Sequence, residues 1–327
     1  IKDESVILTL TNKGYVKRME VSKYKAQKRG GKGVASQNTI EDDFVVSIDS
    51  ATNLDTLMIF TNQGRVFNLK VYEIPESSKQ SRGKLISNII RIREDEKIRA
   101  VIKTRDFSSE NEVVFVTKEG LIKKTNLNEF KNINNSGLKA IKLKPEDDII
   151  YVGLIEEIDK EELLLATKLG QSIRFGSDNV RATGRDTMGV KAITLKEGDS
   201  VVSAMLIKDR DGMILTMTEN GYGKRTRIDE YPLQARSGKG VINLRCNAKT
   251  GDVVSVLPAP DSEELMAITS SGIVIRMPMS SITIYGRATQ GVIVMKVDNG
   301  EKVVSITKVK SEDDDEIEEA DVVSTKE

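Results

Sequence analysis

The chain has 327 residues with 50 Lys and Arg against 50 Asp and Glu, no histidine, no tryptophan and a single cysteine, Cys246. The missing histidine excludes Ser-His-Asp and Cys-His nucleophile systems and imidazole metal sites. The lone cysteine excludes an internal disulfide and a multi-thiolate zinc site, and suits a reducing, cytoplasmic setting.

Aromatics make up 4% and charged residues 31%, so the core is expected to be aliphatic. No apolar run approaches the roughly 20 residues of a membrane helix, and no charged-then-apolar leader opens the chain. It begins at Ile1 and is therefore expected to be an excised piece of a longer protein. Carboxylate or lysine catalysis is left open by composition, but no residue pattern points to it.

From the N-terminus, the first predicted element is a hairpin, "LTLTNKGYV", with Thr11 three residues before Gly14. A short type I turn ends in a residue of positive φ, which glycine adopts without steric cost. The aliphatic and β-branched flanks supply the strands. A basic loop follows, "KAQKRGGKGVASQ" from Lys25 to Gln37, with Lys28, Arg29 and Lys32 set around Gly30, Gly31 and Gly33. It is either a solvated turn or a loop that presses its backbone against phosphates. The pair Val45-Val46 closes the segment.

The same order then returns five times. Hairpin glycines recur at Gly64, Gly120, Gly170, Gly221 and Gly272, preceded by Thr61, Thr117, Thr167, Thr218 and Thr269. A second glycine lies 19 residues after the first at Gly33, Gly83, Gly189, Gly240 and Gly291, and 17 after it at Gly137. Each precedes a strand-like run such as "VKAITL" or "VINLRC". Apolar residues end the later segments at Ile98, Ile149-Ile150, Val201-Val202, Val253-Val254 and Val303-Val304.

Each module of about 51 residues thus reads as four strands, and no stretch sustains the 3.6-residue period of a helix. Repeated four-stranded units predict an all-β, six-bladed, propeller-like disc. Kelch propellers share a period near 50, but their paired glycines are missing. The expected blades are about 1–50, 51–103, 104–155, 156–208, 209–258 and 259–310.

Charge follows the repeat. Four residues after the hairpin glycine stand Arg18, Asn68, Lys124, Arg174, Arg225 and Arg276. Four residues before the second glycine stand Arg29, Lys79, Ile133, Arg185, Arg236 and Arg287, with Arg82, Lys84 and Lys239 beside them. In a radial array, equivalent registers fall at equivalent angles, so these cations predict a curved positive band. The competing reading is that edge strands carry Lys and Arg to block edge-to-edge pairing. That reading suits the first register better than the loops, which have no ladder edge.

Residues 311–327 carry nine acids and one lysine, leaving 49 cations against 41 acids in 1–310. The tail is expected to be disordered, as a solubiliser or as a competitor for the basic face. A curved cationic band suits double-stranded DNA, which carries about one charge per 1.7 Å of axis. Such a band would hold DNA by its phosphates, without reading bases. No aromatic residues interleave with the loop cations, which argues against stacking on single strands.

With repeat and loop together, the chain resembles the C-terminal domain of the DNA gyrase A subunit. "QKRGGKG", from Gln27 to Gly33, matches that family's gyrase A box as Gln27, Lys28, Arg29, Gly30, Gly31, Lys32 and Gly33. Lys28 stands where the family usually has arginine, which keeps the charge but loses a bidentate grip. "QSRGK" and "RSGKGV" are fragments of the box in later modules.

The resemblance implies a β-pinwheel whose neighbouring blades exchange a strand, and a wrapping of double-stranded DNA that gives gyrase its negative-supercoiling direction. It also implies partners: the catalytic part of the same gyrase polypeptide, and the B subunit of an A2B2 holoenzyme. ATP and Mg would be used elsewhere in that assembly, with no cofactor, no metal and no catalytic residue in this domain. A bacterial cytoplasm, at the nucleoid, is the implied setting. Rival readings are the corresponding C-terminal domain of topoisomerase IV, and a propeller that scaffolds proteins.

Overall fold

The computed structural model describes residues 1–11, 13–20, 43, 45–78, 81–134 and 136–310. The chain divides into two compact units, Ile1–Leu165 with Ile173–Lys208 and Leu233–Gly240, and Ala166–Ser172 with Asp209–Pro232 and Val241–Glu327. The described residues are strands, short 3₁₀ turns and loops, as the absence of a 3.6 period required. Among them no helix is long and apolar enough to cross a membrane.

Six antiparallel sheets follow one another. The first has the strand order Val45–Thr52, Ser5–Thr11, Tyr15–Glu20, Lys84–Leu85. The second runs Ile98–Thr104, Thr56–Thr61, Arg65–Lys70, Leu138–Lys139, and the third Ile149–Ile155, Glu112–Thr117, Leu121–Asn126, Val190–Lys191. The fourth is Val201–Ile207, Glu162–Thr167, Gln171–Gly176, Val241–Ile242; the fifth is Val253–Pro258, Met213–Thr218, Tyr222–Arg227, Val292–Ile293. The sixth has three strands among the described residues: Val303–Lys310, Glu263–Thr269 and Val274–Pro278. This is the expected all-β class of six propeller blades.

In the first five sheets the last strand comes from the next module. Lys84–Leu85 pairs with Tyr15-Val16, and Val292–Ile293 pairs with Tyr222-Gly223, in the same register. The blade is therefore not closed within its own 51 residues, and the strand exchange implied by the resemblance is present. Between sheets the core is aliphatic, as composition demanded. Leu8, Val16, Ile59 and Phe67 pack together between the first and second sheets. Leu215, Leu265, Met279 and Met295 pack between the fifth and sixth. Phe60 and Phe115 meet edge to face at 5.3 Å, one of few aromatic contacts.

The recurring threonine has a specific task. Its hydroxyl accepts the backbone N–H of the residue after the hairpin glycine, at 3.0 Å from Tyr15 to Thr11 and 3.2 Å from Tyr222 to Thr218. Leu121, Gln171 and Ile273 do the same to Thr117, Thr167 and Thr269. Thr61 departs from this pattern and donates to Glu96 at 2.6 Å.

Glu96 also takes the Arg65 guanidinium at 2.7 and 2.9 Å and the Arg93 N–H at 3.0 Å. Burial opposes ionisation of Glu96, yet the hydrogen bonds from Arg65, Thr61 and Arg93 hold its pKa at about 2. A depressed carboxylate pKa stabilises the fold above the ordinary value near 4.5, and that contribution is lost as pH falls toward 2. Glu96→Gln is expected to flatten the acid limb of a stability-versus-pH curve over that window. An unchanged acid limb, measured by urea unfolding, would remove Glu96 from the account.

Candidate nucleic-acid interface

The two cationic registers lie in different places. At the register after the hairpin glycine Arg276 is exposed and Arg18 half-buried, while the other three cations are interior. Lys124, Arg174 and Arg225 are only 2%, 8% and 4% exposed. Lys124 pairs with Glu112 at 3.2 Å and Asp159 at 3.4 Å, Arg174 with Glu162 at 2.7 Å, and Arg225 with Asp261 at 2.5 Å. Arg276 pairs with Glu264. Arg18 donates to the carbonyl of Ile74 at 2.8 Å and to Asn53 at 2.9 Å.

The backbone at this register does similar work. Arg18, Lys124, Arg174 and Arg225 form isolated parallel bridges with Glu76, Ala182, Leu233 and Ile284 of the following module. These cations clamp one module to the next. At Lys124, Arg174 and Arg225 the structure departs from the expected outward band: carboxylates and carbonyls already occupy these side chains, and a buried cation needs such partners.

The second register lies on loops. Arg185, Arg236 and Arg287 are half-buried, while Arg82, Lys84 and Lys239 are exposed. Each of the three arginines reaches a backbone carbonyl in the short strand given by the preceding module. Arg185 donates to Lys139 at 3.3 Å, Arg287 to Ile242 at 2.7 Å, and Arg236 to Lys191. Arg82 lies over the Tyr15 ring at 5.6 Å. Ile133, the exception in the register, is half-buried.

Backbone bonds join successive loops. Lys142 N–H donates to Thr187 at 3.0 Å, Thr194 N–H to Gly238 at 2.9 Å, and Arg245 N–H to Thr289 at 3.2 Å. Each unit therefore holds its own run of linked, cation-bearing loops. Gln27, Lys28, Arg29, Gly30, Gly31, Lys32 and Gly33, with Lys79, lie outside the described residues, as does the acidic tail.

Sequence reasoning missed exposed cations one step along the repeat. Lys139 and Lys191 stand two residues after the second glycine, and Lys142, Arg245 and Lys296 stand five after it; all are exposed. Extending the repeat alignment past that glycine would have found them. It also missed three buried lysines, Lys17, Lys123 and Lys224, one residue before the register that was singled out.

Comparisons with known proteins agree with this architecture. A family model described as the DNA gyrase C-terminal domain, beta-propeller, matches residues 5–52, 55–105, 111–156, 161–208, 212–260 and 263–310. The chain is 42% identical to the A subunit of DNA gyrase from Campylobacter fetus, over 97% of this chain and 41% of that protein. It thus spans less than half the length of that relative.

Among solved structures, the C-terminal domain of DNA topoisomerase IV matches with a TM-score of 0.82 at 30% identity, covering 100% of both chains. The DNA gyrase A C-terminal domain matches with a TM-score of 0.76 at 27% identity, covering 93% of this chain and 99% of that one.

Proposed function

This chain belongs to the DNA gyrase C-terminal domain family, and from that membership we propose that it binds and wraps double-stranded DNA without reading its sequence. Residues 1–310 would form the wrapping domain and 311–327 an acidic tail. The observation that carries the reading is the run of linked loops with Lys142, Lys191 and Lys239 exposed along it, and Lys84 exposed at the end of the second module's loop. Cations at repeated spacing suit phosphates, which recur at a fixed interval along a duplex.

In this proposal the wrap gives a gyrase its negative-supercoiling direction. Strand cleavage lies in the catalytic part of the gyrase A polypeptide, and ATP hydrolysis with Mg in the B subunit of an A2B2 assembly, at a bacterial nucleoid. No cofactor is invoked in the domain itself. The likeness to the topoisomerase IV domain supports a second reading, that the chain is the corresponding domain of a topoisomerase IV.

The test uses relaxed circular DNA, incubated with the chain and then treated with a relaxing topoisomerase. A retained linking-number change of consistent sign is expected at low salt. Binding without any retained change would overturn wrapping, and no binding at all would leave the scaffold. Changing Lys28, Arg29 and Lys32 together to alanine is expected to abolish most of the change.

A further inference from the structure

Lys17, Lys123 and Lys224 are 1%, 1% and 0% exposed, which is rare for lysine. They stand three residues after the hairpin glycine in the first, third and fifth modules; Phe67, Ile173 and Ile275 take that place in the others. Each ammonium projects under the second loop of the following module and is held by backbone carbonyls. Lys224 Nζ donates to Gly286 at 2.9 Å, Arg287 at 2.6 Å and Thr289 at 2.9 Å. Lys123 Nζ donates to Arg185 at 2.6 Å and Ala140 at 2.7 Å, and Lys17 Nζ to Ser78 and Ser81 at 3.1 and 3.2 Å.

Among the described residues, no carboxylate lies within ion-pair distance of Lys123 or Lys224. Their charge is solvated by peptide dipoles and not cancelled. In a trans peptide the N–H points opposite to the C=O. The N–H groups that follow the Arg185, Arg287 and Thr289 carbonyls therefore turn away from the ammonium, the arrangement that attracts anions, whereas the Arg287 N–H donates to Glu230 at 3.4 Å and the Ile141 N–H to the Gly64 carbonyl at 3.2 Å.

We infer that Lys123 and Lys224 are positioning residues for phosphate capture, each gathering the loop of the next module into an anion-facing form and adding its own charge beneath. The inference rests on the reading that these loops bind DNA. It divides the loops into two kinds: those of the fourth and sixth modules sit on a buried charge, whereas those of the third and fifth do not.

Titration gives a test that separates positioning from simple structural support. Burial lowers the pKa of Lys123 and of Lys224 to about 8. Around Lys123, Glu129 and Asp186 act upward and Arg185 downward. Around Lys224, Glu230 and Cys246 act upward and Arg287 downward. An ordinary lysine titrates near 10.4. Between about 8 and 10.4 the folded chain thus holds fewer protons than the unfolded one, and these groups make stability rise with pH. Positioning predicts the opposite trend for affinity.

The chain is titrated with a short DNA duplex at low salt from about pH 7 to about pH 9, with melting temperature followed in parallel. Affinity is expected to fall about fivefold for each lysine neutralised, with a midpoint near 8, for a charge of this kind near a phosphate. Melting temperature is expected not to fall. Lys123→Met with Lys224→Met should weaken binding at pH 7 and flatten the profile, while Cys246→Ser leaves it in place. Affinity of the unaltered chain that is constant across the range would overturn the inference, whether or not the variants fold. So would double-variant binding equal to the parent at pH 7. Failure of the parent to bind at pH 7 would instead sink the DNA reading, and this inference with it.

Discussion

Changing Lys84, Lys142, Lys191 and Lys239 together to alanine is expected to weaken DNA binding about a hundredfold or more at low salt and leave melting temperature almost unmoved. All four are exposed, and surface substitutions of this kind usually stay within about 0.5 kcal/mol of neutral. Each phosphate contact releases counterions, so log affinity falls with log salt at about 0.9 per contact. Losing four contacts should lower that slope by about 3.6.

The control is the interior part of the first register. Arg174→Met leaves Glu162 buried without its guanidinium, which costs about 3–5 kcal/mol by the usual behaviour of a broken buried pair. Its folded fraction should bind DNA normally. The two results together test the assignment of registers. If the surface quadruple variant binds like the parent while Arg174→Met binds weakly and stays stable, the assignment is inverted.

The sixfold repeat was legible because turn chemistry is local. A residue of positive φ three positions after a threonine needs no tertiary information, and the turn around Gly14 repeats around Gly272. The strand exchange was not legible from the residues alone. "VINLRC" reads as a strand wherever it pairs, and only its register on Gln171-Ser172 shows that it serves the preceding module.

The first cationic register misled for a related reason. Alternation along a strand separates two faces, but both faces of these blades are packed. Lys123 and Lys124 are neighbours in sequence, point to opposite faces and are both buried. Each has a partner in the next module, the Arg185 carbonyl for one and Asp159 for the other, beside Ala140 and Glu112 of its own. No local pattern announces such a partner, so lysine reads as surface by default. The acids that complete the turns are hidden in the same way. Asp147 accepts the Glu119 N–H at 3.0 Å across 28 residues, yet in sequence it is one more loop carboxylate.

The donated strand also decides how much a single glycine matters. Gly221 and Gly14 occupy the same register, with φ of +84° and +90°, and in sequence nothing separates them. A Cβ built on Gly221 would lie 2.1 Å from the carbonyl oxygen of Met295, in the strand segment given by the sixth module. Among the described residues, one built on Gly14 meets nothing closer than Ile86 Cγ2, at 3.5 Å.

Gly14→Ala is therefore expected to cost only the left-handed backbone, about 1–2 kcal/mol. Gly221→Ala adds a clash that a backbone carbonyl cannot relieve by rotating a side chain. Overpacking of that kind adds about 1–3 kcal/mol, and the Val294 and Met295 N–H bonds to the Gly221 carbonyl, at 2.9 and 3.2 Å, would be strained with it. A total loss of about 2–5 kcal/mol is expected, enough at its upper end to unfold an ordinary domain partly at physiological temperature. Urea unfolding of the two variants side by side measures the difference. Equal losses would mean that the sixth module's strand does not press on this turn, and that the exchange contributes less to stability than its register suggests.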